Sequence, residues 1–227
     1  TDSMNQVLVL ADGKILVAGA EQNNRLALVR YNSNGSLDSS FGSGGKLITT
    51  LTRGNFYGQP VAQQADGKLV VTGTRDFGTN RWFDVVVARF TLNGYLDTTF
   101  GNNGYAITRI SSGADRGNSV KIQPDAKIVV AGIGNNGTNF DAALLRYNSN
   151  GTLDSTFSGD GIVLTALKGN DFGHTLSLQA DGKMIVGGVT YGAKPEMALL
   201  RYLSNGTLDT TWAGAGYTTL DMGGVGN

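Results

Sequence analysis

Cysteine is absent from the 227 residues, which removes disulfide staples, iron–sulfur ligation and thiol nucleophiles together. That argues against a eukaryotic secreted domain held by bridges and fits a bacterial protein of any compartment. Histidine occurs once, at His174, and a lone histidine builds no metal cluster. Neither charge dominates: 18 Lys and Arg balance 18 Asp and Glu, and no basic cluster stands out. Nucleic acid and an anionic membrane are therefore not expected partners. No apolar run approaches the ~20 residues that cross a bilayer as a helix, so membrane insertion is not expected. GxSxG, HExxH and glycine-rich phosphate loops are missing, so no catalytic residue, metal or cofactor is assigned. Only 3 prolines occur, against 34 glycines, a composition that describes an ordered, turn-rich β protein.

What is present is repetition. Arg30 to Gly42 reads RYNSNGSLDSSFG and returns as RFTLNGYLDTTFG from Arg89, RYNSNGTLDSTFS from Arg146 and RYLSNGTLDTTWA from Arg201. A second phrase precedes each copy: ADGKILVAG from Ala11, ADGKLVVTG from Ala65, PDAKIVVAG from Pro124 and ADGKMIVGG from Ala180. Four units of about 57 residues account for the chain, a period that points to propellers, solenoids or arrays. The start, TDSMNQ, carries neither an initiator Met nor a signal-like apolar segment and reads as a mature product or a piece of a longer array.

Each unit reads as four short strands. In the first, strand a covers 6–10, Asp12-Gly13 makes a hairpin turn, and strand b covers 14–18 with Gly19 closing it. Strand c covers 26–31, the Asn34-Gly35 turn follows, and strand d covers 46–51. Strand c is apolar on both faces, since Ala27, Val29 and Tyr31 alternate with Leu26, Leu28 and Arg30, so it must be covered on both sides. A four-stranded unit sandwiched between like units is a propeller blade. The expected fold is an all-β propeller of four four-stranded antiparallel blades, at 1–54, 55–113, 114–169 and 170–227, closing alone or forming a segment of a larger ring. A β-solenoid is the competing arrangement.

The paired phrases resemble the delta-60 repeat, a family of tandem units in large bacterial surface or secreted proteins with a β-propeller-like fold. The resemblance covers essentially the whole chain. Unit three departs from the pattern at Ala126, where the others have Gly, and unit four has Trp212 where the others have Phe. It implies an extracellular or envelope location in a bacterium and brings no catalytic residues with it.

The repeated polar residues read first as hardware. Arg30, Arg89, Arg146 and Arg201 sit in apolar strands, and Asp38, Asp97, Asp154 and Asp209 follow across a turn. A guanidinium in a covered strand must be paired, and a bidentate Arg–Asp contact within each blade is the natural solution. The Asn-x-Asn-Gly-x-x-Asp spacing leaves calcium as an option in units one and three, but units two and four carry Thr91 and Leu203 at its first position.

Function is expected on the opposite face. The a–b and c–d turns are nearly identical between units, while the b–c loops (20–24, 74–83, 133–140, 189–196) and the d–a loops (51–58, 111–116, 168–174) differ. Variation on a fixed scaffold is how loops carry binding. Arg53, Tyr57, Arg75, Trp82, Arg116, His174 and Tyr191 fall on that face and are the candidate ligand contacts. The expectation is a non-enzymatic scaffold for interaction or adhesion with a protein or glycan partner, or with further repeats of the same or another chain. Two alternatives are a carbohydrate-binding lectin using the loop aromatics and a hydrolase using paired acids on the same face.

Overall fold

The computed structural model describes residues 3–21, 25–49, 60–76, 83–111 and 113–223. They form four separate four-stranded sheets, each antiparallel with its strands in chain order. Sheet one contains β1 (Ser3–Val9), β2 (Ile15–Glu21), β3 (Arg25–Tyr31) and β4 (Lys46–Ile48). Sheet two contains β5 (Val61–Gln63), β6 (Leu69–Asp76), β7 (Phe83–Phe90) and β8 (Tyr105–Thr108). Sheet three contains β9 (Arg116–Ile122), β10 (Ile128–Asn135), β11 (Phe140–Tyr147) and β12 (Ile162–Thr165). Sheet four contains β13 (Asn170–Leu178), β14 (Met184–Tyr191), β15 (Pro195–Tyr202) and β16 (Tyr217–Leu220). No helix occurs among the described residues.

These sheets are propeller blades. The first strands of successive blades approach one another, which places them nearest the axis. Gln6 of β1 ties two of them directly: its Nε2 donates to the Val61 carbonyl at 3.1 Å and its Oε1 accepts the Val61 N–H at 2.8 Å. Asn118 does similar work two junctions further on, donating to the Gly173 carbonyl at 2.8 Å.

The core lies between blades rather than inside any one of them. A first cluster joins Leu16, Leu26 and Leu28 to Leu69, Val86 and Phe90. A second joins Val85 and Val87 to Ile128, Leu145 and Tyr147, and a third joins Val129 and Leu144 to Met184, Leu200 and Tyr202. The middle strands of blades two and three are therefore buried on both faces, as their unbroken apolar runs require.

Strand b does not close at its glycine. β2 runs on through Gly19 to Glu21, which pairs with Arg25, and the equivalent strands continue similarly. The glycine has a different task. The β9 and β13 partners bulge beside Gly132 and Gly188. A Cβ there would meet the Arg116 and Phe172 carbonyl oxygens at 1.8 Å. Glycine admits the bulged strand instead of stopping its own.

Candidate functional site

The propeller has two ends of opposite character. At the uniform end, each a–b turn is closed by its Asp, with the Asp12 Oδ1 accepting the Lys14 N–H at 3.1 Å and Gly13 held at φ 79. Asp66, Asp125 and Asp181 make the same bond.

Beside each turn lies an arginine hub. Arg146 Nε donates to Asp154 Oδ2 at 2.7 Å, and its Nη2 donates to the Thr156 hydroxyl at 3.3 Å. The guanidinium stacks 4.5 Å over the Phe157 ring, and Nη1 reaches the Ser204 carbonyl of the next blade at 2.6 Å. Arg30 and Arg89 repeat the pattern with Asp38 and Asp97 at 2.7 and 2.8 Å, and their Nη1 groups reach the carbonyls of Leu92 and Ser149. This is not the fork-on-fork contact expected within a blade. One arm holds the aspartate and another crosses to the neighbour.

The neighbour's Asn-Gly turn is the counterpart. Its asparagine carbonyl accepts a backbone N–H from the first blade: Gly42 to Asn93 at 2.8 Å, Gly101 to Asn150 at 2.7 Å and Ser158 to Asn205 at 3.0 Å. The repeated Lys of the DGK phrase is a member that sequence reasoning missed. Lys14, Lys68, Lys127 and Lys183 approach Asp38, Asp97, Asp154 and Asp209 at 2.8, 3.3, 3.1 and 3.2 Å. Its presence in all four units was the available signal.

These contacts hold the aspartates well below the usual carboxylate range. At Asp38 the Lys14 hydrogen bond contributes most. At Asp97 burial pushes upward, but the Thr99 hydroxyl and N–H, with Arg89 and Lys68, bring it to about 2. The same loop leaves little for calcium. Asn34 Oδ1 already accepts the Ser36 N–H at 3.0 Å and its hydroxyl at 2.7 Å, and Asn150 serves Thr152 in the same way.

A cavity of about 620 Å³ also opens at the uniform end, between the a–b turns of blades two to four. Gln123 and Gln179 line it, and their Oε1 atoms are buried without a hydrogen-bond partner among the described residues.

The variable end is built on strand termini more than on loops. Arg75 lies in β6, Arg116 opens β9, His174 lies within β13 and Tyr191 ends β14. Strand b of each blade runs on past its expected end by pairing with strand c, and strand a of blades one, three and four starts earlier than expected, on the far side of a bulge. Arg53, Tyr57 and Trp82 lie outside the described residues.

The structure gathers His174 and Tyr191 around Phe172, which sequence reasoning passed over. Phe172 stacks on His174 at 6.3 Å, meets Tyr191 edge-on at 5.4 Å and touches Phe140 of the preceding blade at 5.8 Å. His174 and Tyr191 are exposed. Arg116 does not join this group; it stacks 5.7 Å from the ring of Phe83, one junction earlier.

Four acids of this end are buried: Asp84, Asp115, Asp141 and Asp171. Asp115 accepts N–H bonds from Ile110 at 2.8 Å and Asn135 at 3.0 Å, and Asp171 accepts one from Leu167 at 2.6 Å. They staple the d–a loops. Burial pushes the Asp115 carboxyl up, backbone hydrogen bonds oppose it, and the nearby Asp84 adds to the rise. Asp84 takes Arg109 at 3.1 Å, and Asp141 takes the Asn136 amide at 2.9 Å. No group of three or more His, Asp or Glu able to hold a metal occurs among the described residues.

No curated protein matches the chain. Solved structures do. A protein of unknown function from Dyadobacter fermentans superposes with TM-score 0.62 at 13% identity, over 100% of this chain and 71% of that one. An endo-1,4-β-xylanase from Bacteroides thetaiotaomicron matches with TM-score 0.54 at 9% identity, over 96% of this chain and 74% of its own. An endo-arabinase from the same organism gives TM-score 0.50 at 10% identity, over 96% and 80%. At such identities the likeness concerns the fold alone. The family model is more specific, because it matches four times, at residues 10–41, 64–100, 123–157 and 179–211, on the paired phrases of each blade. The chain belongs to the family described as "Domain of unknown function (DUF5122) beta-propeller".

Proposed function

We propose that this propeller is a non-enzymatic interaction or adhesion module of a bacterial cell surface or secreted protein, binding its partner through the variable end. The aromatic group of Phe140, Phe172, His174 and Tyr191 carries this reading, because it exposes ring surface where the four units differ most. Exposed aromatics beside polar groups are typical of binding hot spots. The likeness of the paired phrases to the delta-60 repeat supports the location.

A lectin is the second reading, favoured by the exposed Tyr191 ring and by the amides of Asn139 and Asn170, which also bond across the blade three–four junction. The hydrolase reading draws on two similar structures that are glycan-cleaving enzymes. It is the weaker one here, since the variable-end acids are buried and bonded to loop backbone or neighbouring side chains.

A photo-crosslinking residue at Tyr191, and separately at Asp181 of the uniform end, tests the scaffold in producing cells. Adducts from position 191 alone are expected; equal or reversed yields would overturn the assignment of the face. On a glycan array, binding by the wild type that Tyr191→Ala abolishes would establish the lectin, and silence across the array would remove it.

A further inference from the structure

The junction between blades is built three times from one set of parts, and its two halves stand open at blades one and four. Leu28, Val87 and Leu144 occupy one position of strand c and are each buried against the next blade. Their counterpart Leu199 is 43% exposed, and Met197 beside it is 54% exposed. On the facing side, Val61, Val120 and Leu176 of the first strands are buried against the preceding blade, while their counterpart Val7 is 57% exposed. Among the described residues, no apolar cluster joins blade four to blade one.

The polar half of the junction is open in the same way. Gly94, Gly151 and Gly206 sit against the rings of Phe41, Phe100 and Phe157, but none of the described residues lies within 4 Å of a Cβ placed at Gly35. The N–H at Ala213 is the counterpart of those at Gly42, Gly101 and Ser158, which donate to an Asn-Gly turn, and among the described residues it has no such acceptor. Arg201 spends both Nε and Nη2 on Asp209 and is more exposed than Arg30, Arg89 and Arg146.

We propose that the chain associates head to tail with a second copy of itself, the Asn34-Gly35 turn and Val7 of one copy docking on Arg201, Trp212, Met197 and Leu199 of the other. The occupant follows from continuity with the three internal junctions. What blade four lacks is an apolar blade face flanked by an Asn-Gly turn, and blade one exposes that pair. The contact is heterologous, so it builds a ring where the rotation closes and a filament where it does not.

Sedimentation of the 227-residue chain over a wide concentration range, with circular dichroism as the check on folding, tests this. The wild type is expected to form a dimer or larger species. Leu199→Lys and Val7→Lys, each placing a charge on one open face, should weaken association at least about tenfold. Mixing the two variants should restore a one-to-one dimer that grows no further, because each retains the face the other has lost. If Leu199→Lys misfolds, Met197→Lys serves in its place. A wild type that stays monomeric, or variants that associate undiminished, would overturn the proposal. A mixture that stays monomeric would also overturn it, since only a head-to-tail contact pairs the two intact faces.

Discussion

Tyr147 and Thr108 meet across a blade junction, their hydroxyls 2.8 Å apart in a buried site. Tyr202 and Thr165 make the same contact one junction later, also at 2.8 Å. Junction one has the threonine but not its partner. Thr49 Oγ1 is buried and unbonded among the described residues, and the tyrosine's place on strand c is taken by Phe90. Phe90→Tyr is expected to stabilise the fold by about 1 kcal/mol by supplying the missing hydroxyl. Equilibrium urea unfolding reads the change, and a loss of stability would mean that the junction lacks room for it.

Ala126 is held at φ 66, where the other three units place glycine at φ 79, 83 and 82. A left-handed alanine is strained, although glycine returns part of the gain as unfolded-state entropy. Ala126→Gly should therefore raise stability by about 0.5–1 kcal/mol, measurable by thermal or chemical unfolding.

Two further glycines separate backbone strain from crowding. Gly35 and Gly206 both have positive φ, 86 and 94, so alanine strains the backbone at either. Only at Gly206 would a Cβ press on a ring, meeting Phe157 at 2.9 Å. Gly206→Ala is expected to cost about 1–3 kcal/mol more than Gly35→Ala in parallel denaturation curves.

The hub aspartates make the fold acid-sensitive in a defined direction. Asp97 and Asp209 are lowered to about 2: at Asp209 the Thr211 hydroxyl contributes most, then Lys183 and Arg201 against burial, and at Asp97 burial is overcome by Thr99, Arg89 and Lys68. A carboxylate held below its unfolded value of about 3.9 adds stability that is complete above that value and is lost as the pH falls toward the folded one. Unfolding free energy should hence decline from about pH 4 toward pH 2, and Asp97→Asn should flatten part of the slope. A profile flat over that window would show that the pairs do not tighten in the folded state.

The blades were legible because their signals are local. Asp-Gly and Asn-Gly turns, two-sided apolar strands and an in-phase repeat all operate within one unit. What crossed between units was less so. The reach of Arg146 to Ser204 depends on how one sheet sits on the next, which no pattern inside a unit encodes. Gly132 reads in sequence as a stop, but its role beside a bulged neighbour is set by the tertiary approach of the Arg116 carbonyl. Lys127 was missed for a simpler reason. A lysine after a turn looks like solvated surface until the fold brings Asp154 to 3.1 Å. At the variable end, His174 and Tyr191 were readable as candidates, but Phe172, which holds them together, sat in what read as loop.

Arg146 and Arg201 hold equivalent aspartates, but Arg146 alone of the two also bonds the following blade. Comparing the unfolding free energies of Arg146→Lys and Arg201→Lys in the dilute, monomeric chain therefore separates the tie between blades from the pair within one. A lysine can keep the contact with aspartate but cannot reproduce the guanidinium's other arms. Arg146→Lys is expected to cost about 1–2 kcal/mol more than Arg201→Lys. Equal costs, or a larger loss at Arg201, would contradict the role of the repeated arginine as the link that joins each blade to the next.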